Sequence, residues 1–282
     1  MKVIVDGGSF FEAPRWREGR WWVSDFFRHT VYSFDESGAD CRIEAVVEAQ
    51  PSGLGWDRDG ALLVVSMLDH RLLRRPPEGG PLEVVADLTA LSGGPSNDMV
   101  VDAAGRAWVG NFGFDLHGGE PPVPTSLARV DPDGSVTEAA RDLVFPNGAV
   151  ITDDGSTLII GETFGSRYTA FTIESDGTLS GRRTWALLPD VHPDGCCLDA
   201  EGRIWCADAG GRRALLVEEG GRVVREVSPP GTLGVFACML GGEAGTTLLL
   251  SCCPDTDPAD TPNRRDAVLV AVEVDTPRAG RP

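Results

Sequence analysis

Residues 191–211 read VHPDGCCLDAEGRIWCADAGG. An acid, Asp194, stands between a proline and a glycine. An apolar run, a D-A-E-G turn and a second strand-like run follow. A turn accounts for the proline and the glycine, but not for the acid. Three other stretches share this grammar: GLGWDRDGALLVVS, DMVVDAAGRAWVGN and GAVITDDGSTLIIGE. Each is an apolar strand, a turn of the Asp-x-x-Gly kind and a β-rich strand. PRWREGRWWVSD and ACMLGGEAGTTLLLS follow the pattern more loosely.

The turn glycines are Gly19, Gly60, Gly105, Gly155, Gly202 and Gly245, spaced by 41, 45, 50, 47 and 43 residues. Six units of this length match the period of four-stranded propeller blades. Short further strands follow each pair, as in TVYSFD, RLLRRP, SLARVD, TAFTI and ALLVEE. No segment sustains a helical period. The expected fold is all-β: one six-bladed β-propeller domain over residues 1–282, with a central metal site. Ring closure leaves few exposed edges. KVIVD should add a strand to the last blade, AVLVAVEV, and the tail over 275–282 should fray.

The chain has 282 residues, 41% of them hydrophobic, which suffices for a substantial core. No apolar run approaches the roughly 18 residues that span a bilayer. MKVIVDGGSFFEAPRW has only a short apolar patch before Asp6, unlike a secretory signal, so a cytoplasmic location is expected. The net charge of −18 disfavours nucleic acid and anionic membranes as partners. A small-molecule substrate and a monomer or weak homodimer are expected instead. Seven cysteines with no C-x-x-C spacing read as free, mostly buried thiols.

Eight residues before the turn glycine stand Asp194, Asn147 and Asn97 in three units, and Ser52 and Ala237 in two others; Glu12 lies seven before Gly19. Each position begins the innermost strand of its blade. Glu12, Asn97, Asn147 and Asp194 should therefore converge at one mouth of the central channel. Asn and Asp are common turn residues at strand starts. Four in register across repeats argue for more, because buried charges are costly unless paired or metal-bound. Two carboxylates and two amides suit a hard divalent cation: calcium first, with magnesium, manganese or zinc as alternatives.

FEAPRW, PSNDMVVDAAGRAWVGN, FPNGAVITDDGSTLIIGETFGSRYTAFTIESDGTLSGRRTWA and HPDGCCLDAEGRIWCADAGGR resemble the senescence marker protein / gluconolactonase / luciferin-regenerating enzyme family. The resemblance runs from about residue 9 to 275. It implies a six-bladed propeller holding a divalent metal and, in many members, lactone hydrolysis. By motif it makes Glu12, Asn147 and Asp194 metal ligands. It places Asn97 beside the metal, in contact with substrate or water, with Asp98 its neighbour. Sugar-lactonase members resemble R-x-N-D here, the arginine contacting substrate hydroxyls. This chain has Pro95-Ser96-Asn97-Asp98, which argues against a gluconolactone-like substrate.

The loop after each second strand should sit at the metal mouth. These loops are DFFRH, MLDH, NFGFDLHGGEPPVPT, ETFGSR, DAGGR and CCPDTDPADTPNRR. They carry His29, His70 and His117, and His192 lies two residues before Asp194. They also carry Phe26, Phe27, Phe112, Phe114 and Phe164. Aromatics at a mouth fit an apolar ligand or a lid as well as packing between loops. Candidate substrate contacts are Asn97, Asp98, His29, His70, Phe26, Phe114, His117 and Glu162, which opens the fourth loop.

The expected chemistry is metal-assisted opening of a lactone or related ester less polar than a sugar lactone, with the cation polarising the carbonyl and activating water. Asp194 is the expected general base and His192 the second candidate. The same site also suits isomerisation, cyclisation or dehydration of a carbonyl intermediate, and a non-catalytic metal-binding platform is a third possibility. No G-x-S-x-G, Walker A or G-x-G-x-x-G motif appears in its proper context, which disfavours serine hydrolase, nucleotide and Rossmann chemistry.

Overall fold

The repeated turns form around their own acids. Asp57 Oδ1 accepts the N–H groups of Asp59 and Ala61 at 2.9 and 2.8 Å, and Asp199 Oδ1 those of Glu201 and Arg203 at 2.9 Å each. The glycine completes each turn in the left-handed region, as at Gly60 (φ 83°) and Gly202 (φ 75°), where a side chain would be strained. The computed structural model describes residues Met1–Pro282.

Each turn joins an inner strand to its antiparallel second strand, and six such sheets are arranged as propeller blades. The inner strands are Phe11–Arg17, Pro51–Trp56, Ser96–Val101, Pro146–Ile151, Pro193–Asp199 and Gly234–Gly241, for blades 1 to 6. The N-terminal strand Lys2–Gly8 pairs antiparallel with Ala267–Glu273, so blade 6 closes the ring with both ends of the chain. Apolar side chains fill the spaces between blades. Trp108 and Trp205, each three residues after a turn glycine, are wholly buried, as is Trp21. No helix is long and apolar enough to cross a membrane.

Two features differ from the sequence reading. The tail does not fray. Arg278 and Ala279 pair with Asp199 and Leu198, adding a fifth strand on the inner side of blade 5. Arg281 then exchanges both backbone hydrogen bonds with Ile151, at 2.8 and 2.9 Å. Inner strands expose backbone groups at the far end of the channel, and the tail satisfies them.

The glycine of Pro-Asp-Gly is not a turn residue. Gly195 lies within the inner strand, and a Cβ on it would stand 2.5 Å from the Ala237 Cβ of the next blade. Gly148 and Gly53 repeat the theme: added Cβ atoms would lie 2.4 Å from Asp194 O and 2.5 Å from Met99 N. These glycines let inner strands crowd around the axis.

Candidate active site

Every blade breaks its register at the same place. The pairing of inner with second strand shifts between Glu12 and Arg15, Pro51 and Leu54, Ser96 and Met99, Pro146 and Ala149, Pro193 and Cys196, and Val235 and Ala237. A bulge re-aims the side chain it carries. Glu12, Asn97, Asn147 and Asp194 sit at four of these bulges and line one pocket of about 560 Å³.

Glu12 and Asp194 are each 9% exposed. Burial raises the Glu12 carboxyl well above its ordinary range, and the nearby Asp194 charge adds to this. The N–H of Ala13, 2.9 Å from Glu12 Oε2, opposes the shift. Burial pushes Asp194 up to about 8, with the adjacent Asn147 amide pulling the other way and the Asp98 charge adding to the rise. No lysine or arginine lines the pocket. Two buried carboxylates without a cationic partner are unfavourable as they stand.

Asn147 Nδ2 donates to Thr163 Oγ1 at 3.1 Å, and Thr163 Oγ1 donates to Pro193 O at 2.7 Å. This fixes the amide orientation and leaves Asn147 Oδ1 free. Asn97 Oδ1 accepts from Ser52 Oγ at 3.3 Å. No three His, Cys, Asp or Glu side chains form a ready cage for a metal. The donor set is carboxylate and amide oxygen, which fits a hard divalent cation, with Thr163 as an outer orienting group.

Phenylalanines make two walls. Phe10, from the loop before the first inner strand, packs against Phe26 and Phe236 with ring centroids 5.3 and 5.0 Å apart. Opposite them, Phe112 stacks on Phe145 at 4.3 Å, and Phe164 meets Phe145 edge-on at 5.4 Å. The His192 ring lies 6.2 Å from Phe164, and its Nδ1 is buried without a partner. Gly210 makes room for this ring: a Cβ there would be 2.6 Å from His192 Nδ1. Pro95 lines the same pocket where sugar lactonases are expected to carry arginine.

Of the expected substrate contacts, Asn97, Phe26 and His117 line this pocket, as does His192. Phe114 lies behind it, buried against Phe145 and Phe164. His29 and His70 are outside it; His70 Nδ1 lies 3.4 Å from Ser96 Oγ. Asp98 points away, to Arg15 at 2.7 Å. Glu162 is wholly buried and occupied: it binds Arg167 at 2.7 and 2.8 Å, Thr169 at 2.5 Å and the N–H of Val144 at 2.8 Å.

Glu162 belongs to a second repeated device that the sequence reading missed. The last residue of the second strand holds the loop that leads into the inner strand. Asp25 accepts Ser9 N–H at 2.9 Å, Asn111 accepts Gly93 N–H at 3.2 Å, and Asp208 accepts His192 N–H at 3.0 Å. The recurring D, N, E and D at the ends of WWVSD, AWVGN, LIIGE and IWCAD were its visible trace. Thr163, in the fourth mouth loop, was also missed; nothing in its spacing marks it.

The SMP-30/Gluconolactonase/LRE-like region, as a sequence family, matches residues 10–253. The chain belongs to this family. Among curated relatives, the pentonolactonase XacC of Haloferax volcanii is 30% identical over 216 residues, covering 73% of this chain and 69% of that protein. Among solved structures, a gluconolactonase of Xanthomonas campestris superposes with a TM-score of 0.75 at 25% identity, covering 96% of this chain and 89% of the other. A calcium-binding regucalcin of Agrobacterium tumefaciens shares the fold with a TM-score of 0.82 at 21% identity, covering 99% and 95%. All seven cysteines are free, six are buried, and burial pushes Cys206 up to about 12, far from a reactive thiolate.

Proposed function

We propose that this protein is a divalent-metal-dependent lactonase whose substrate is less polar than a sugar lactone. The carrying observation is the placement of Asp194: a buried carboxylate at the polar floor of a pocket with phenylalanine walls. The family's lactonase relatives support the reaction class.

Glu12, Asn147 and Asp194 would hold the cation, and Asn97 lies beside them. When bound, a divalent cation supplies the Lewis acidity that polarises an ester carbonyl. Asp194, which cation binding would keep as the carboxylate, takes the proton from the attacking water. The two phenylalanine walls orient an apolar ring and exclude bulk water. Asp194 then passes that proton to the ring oxygen as the acyl C–O bond breaks; His192, beside Phe164, is the second candidate for the base.

The test is acid release from a panel of sugar-derived and apolar lactones, with chelator and with calcium, zinc, magnesium or manganese restored. Chelator-sensitive opening of apolar lactones is expected. A product of unchanged mass would move the reaction to isomerisation or cyclisation. Faster opening of sugar lactones would reject the substrate class.

A further inference from the structure

Arg15 is a cation inside the channel of a strongly acidic protein, and only 3% of it is exposed. Its Nε donates to Leu54 O at 3.0 Å and its Nη1 to Pro14 O at 3.0 Å. Its Nη2 donates to Met99 O at 2.9 Å and to Asp98 Oδ1 at 2.7 Å. One side chain thus ties together the inner strands of blades 1, 2 and 3. Asp98 Oδ1 also accepts the N–H of Met99 at 2.8 Å. Asp98 is therefore held at one oxygen by two donors.

A stitch between blades does not need charge. Apolar residues of similar size often replace buried ion pairs with no loss of stability. What the pair adds is a fixed arrangement of charge next to Glu12 and Asp194. Arg15 follows Glu12 by three residues on the inner strand of blade 1, and Asp98 directly follows Asn97 on the inner strand of blade 3. Glu12, Asp98, Asp194 and Arg15 are all buried on inner strands, whereas the buried acids that end second strands, Asp25, Glu162 and Asp208, are taken up by loop N–H groups, the last two also by Arg167 and Arg213. Asp115 also lines the pocket but lies at the exposed rim.

We infer, on the cation-binding reading above, that Arg15 is a positioning residue that fixes Asp98 and sets one positive charge against the three acids of the cation-loaded site, Glu12, Asp98 and Asp194. The site thereby matches a divalent cation and holds down its affinity for trivalent ones. Arg15→Met leaves three negative groups and none positive, and Asp98→Asn leaves two against one. The two substitutions must shift the preference in opposite directions. The double variant restores the original balance. Arg15→Lys keeps the charge and loses the fork.

The experiment titrates the purified full-length protein and its variants with calcium, by calorimetry, and with terbium, by luminescence. Circular dichroism and Tm confirm folding. Binding at the site is the part lost in Asp194→Ala. The ratio of the calcium Kd to the terbium Kd should rise on the order of tenfold in Arg15→Met and fall on the order of tenfold in Asp98→Asn, as expected for one unit charge at short range in a partly screened interior. It should return towards the wild-type ratio in the double variant and stay near it in Arg15→Lys. A purely structural stitch would lower Tm and leave the ratio unchanged, which overturns the inference while the cation reading stands. If Arg15→Met does not fold, Asp98→Asn and Arg15→Lys decide the matter by the same ratio. A wild-type protein with no Asp194-dependent site for either ion overturns the cation reading, and this inference with it.

Discussion

Thr163 fixes the side-chain amide of Asn147: Asn147 Nδ2 donates to Thr163 Oγ1 at 3.1 Å, while Thr163 donates onward to Pro193 O at 2.7 Å. The amide oxygen of Asn147, a pocket-lining residue, is left without a protein hydrogen-bond partner. Thr163→Val keeps the shape and removes both hydrogen bonds. Metal affinity should fall by about 10- to 100-fold, the usual effect of losing an outer orienting group. Calcium calorimetry reads this directly, and lactone opening should fall in parallel at subsaturating metal.

In the proposed mechanism Asp194 is both ligand and base. Asp194→Ala should abolish lactone opening, and Asp194→Asn should reduce it by about 10²- to 10⁴-fold, the range for loss of a general base. Assays at saturating metal separate the two roles. Full activity in either variant would remove Asp194 from the mechanism.

The raised carboxyls set a pH dependence for the metal-free protein. Asp194 titrates near 8 when folded against an ordinary value of 3.8, so the folded state holds its proton more tightly than the unfolded state does. The metal-free protein should therefore lose stability as pH rises from about 4 to about 8, with Glu12 acting in the same direction. Calcium competes with those protons, so its stabilising effect should grow over the same window. Differential scanning calorimetry at pH 5 and pH 8, with and without calcium, checks the sign. A larger calcium effect at pH 5 would contradict it.

Gly195 leaves no room for a side chain against Ala237. Gly195→Ala should destabilise the fold by about 1–3 kcal/mol, the cost of overpacking a tight contact. Urea unfolding monitored by tryptophan fluorescence measures this. Activity should fall as well, because the displaced strand carries Asp194.

The tail pairs with the inner edge of blade 5, where Ala200 N–H donates to Pro277 O at 2.8 Å, and reaches the blade 6 turn, where Arg278 N–H donates to Gly245 O at 2.9 Å. Removing residues 276–282 should lower stability by about 1–3 kcal/mol, since several buried backbone groups lose partners. A truncated protein with unchanged Tm would show the tail to be dispensable.

The repeat made the propeller legible, because each blade writes the same short rule: strand, acid, glycine, strand. The convergence of Glu12, Asn97, Asn147 and Asp194 was legible for the same reason, since equal positions in equal repeats meet at a common axis. Glu162 was not legible as a structural acid. Its chain position is that of a mouth residue, and only the fold reveals Arg167, Thr169 and the Val144 N–H around it. Asp98 likewise follows Asn97 directly, but adjacent strand residues face opposite ways, and its partner Arg15 lies 83 residues away.

The sequence by itself determined the blade count, the closure by the N-terminal strand and the identity of the ring residues, because these depend on local periodicity. The tertiary structure decided which polar groups face the pocket and which are consumed beneath it. It also decided that Gly195 serves packing rather than turning, and that the tail is a strand. These outcomes depend on contacts between chain segments far apart in sequence, where burial and hydrogen-bond partners are fixed only when the ring closes.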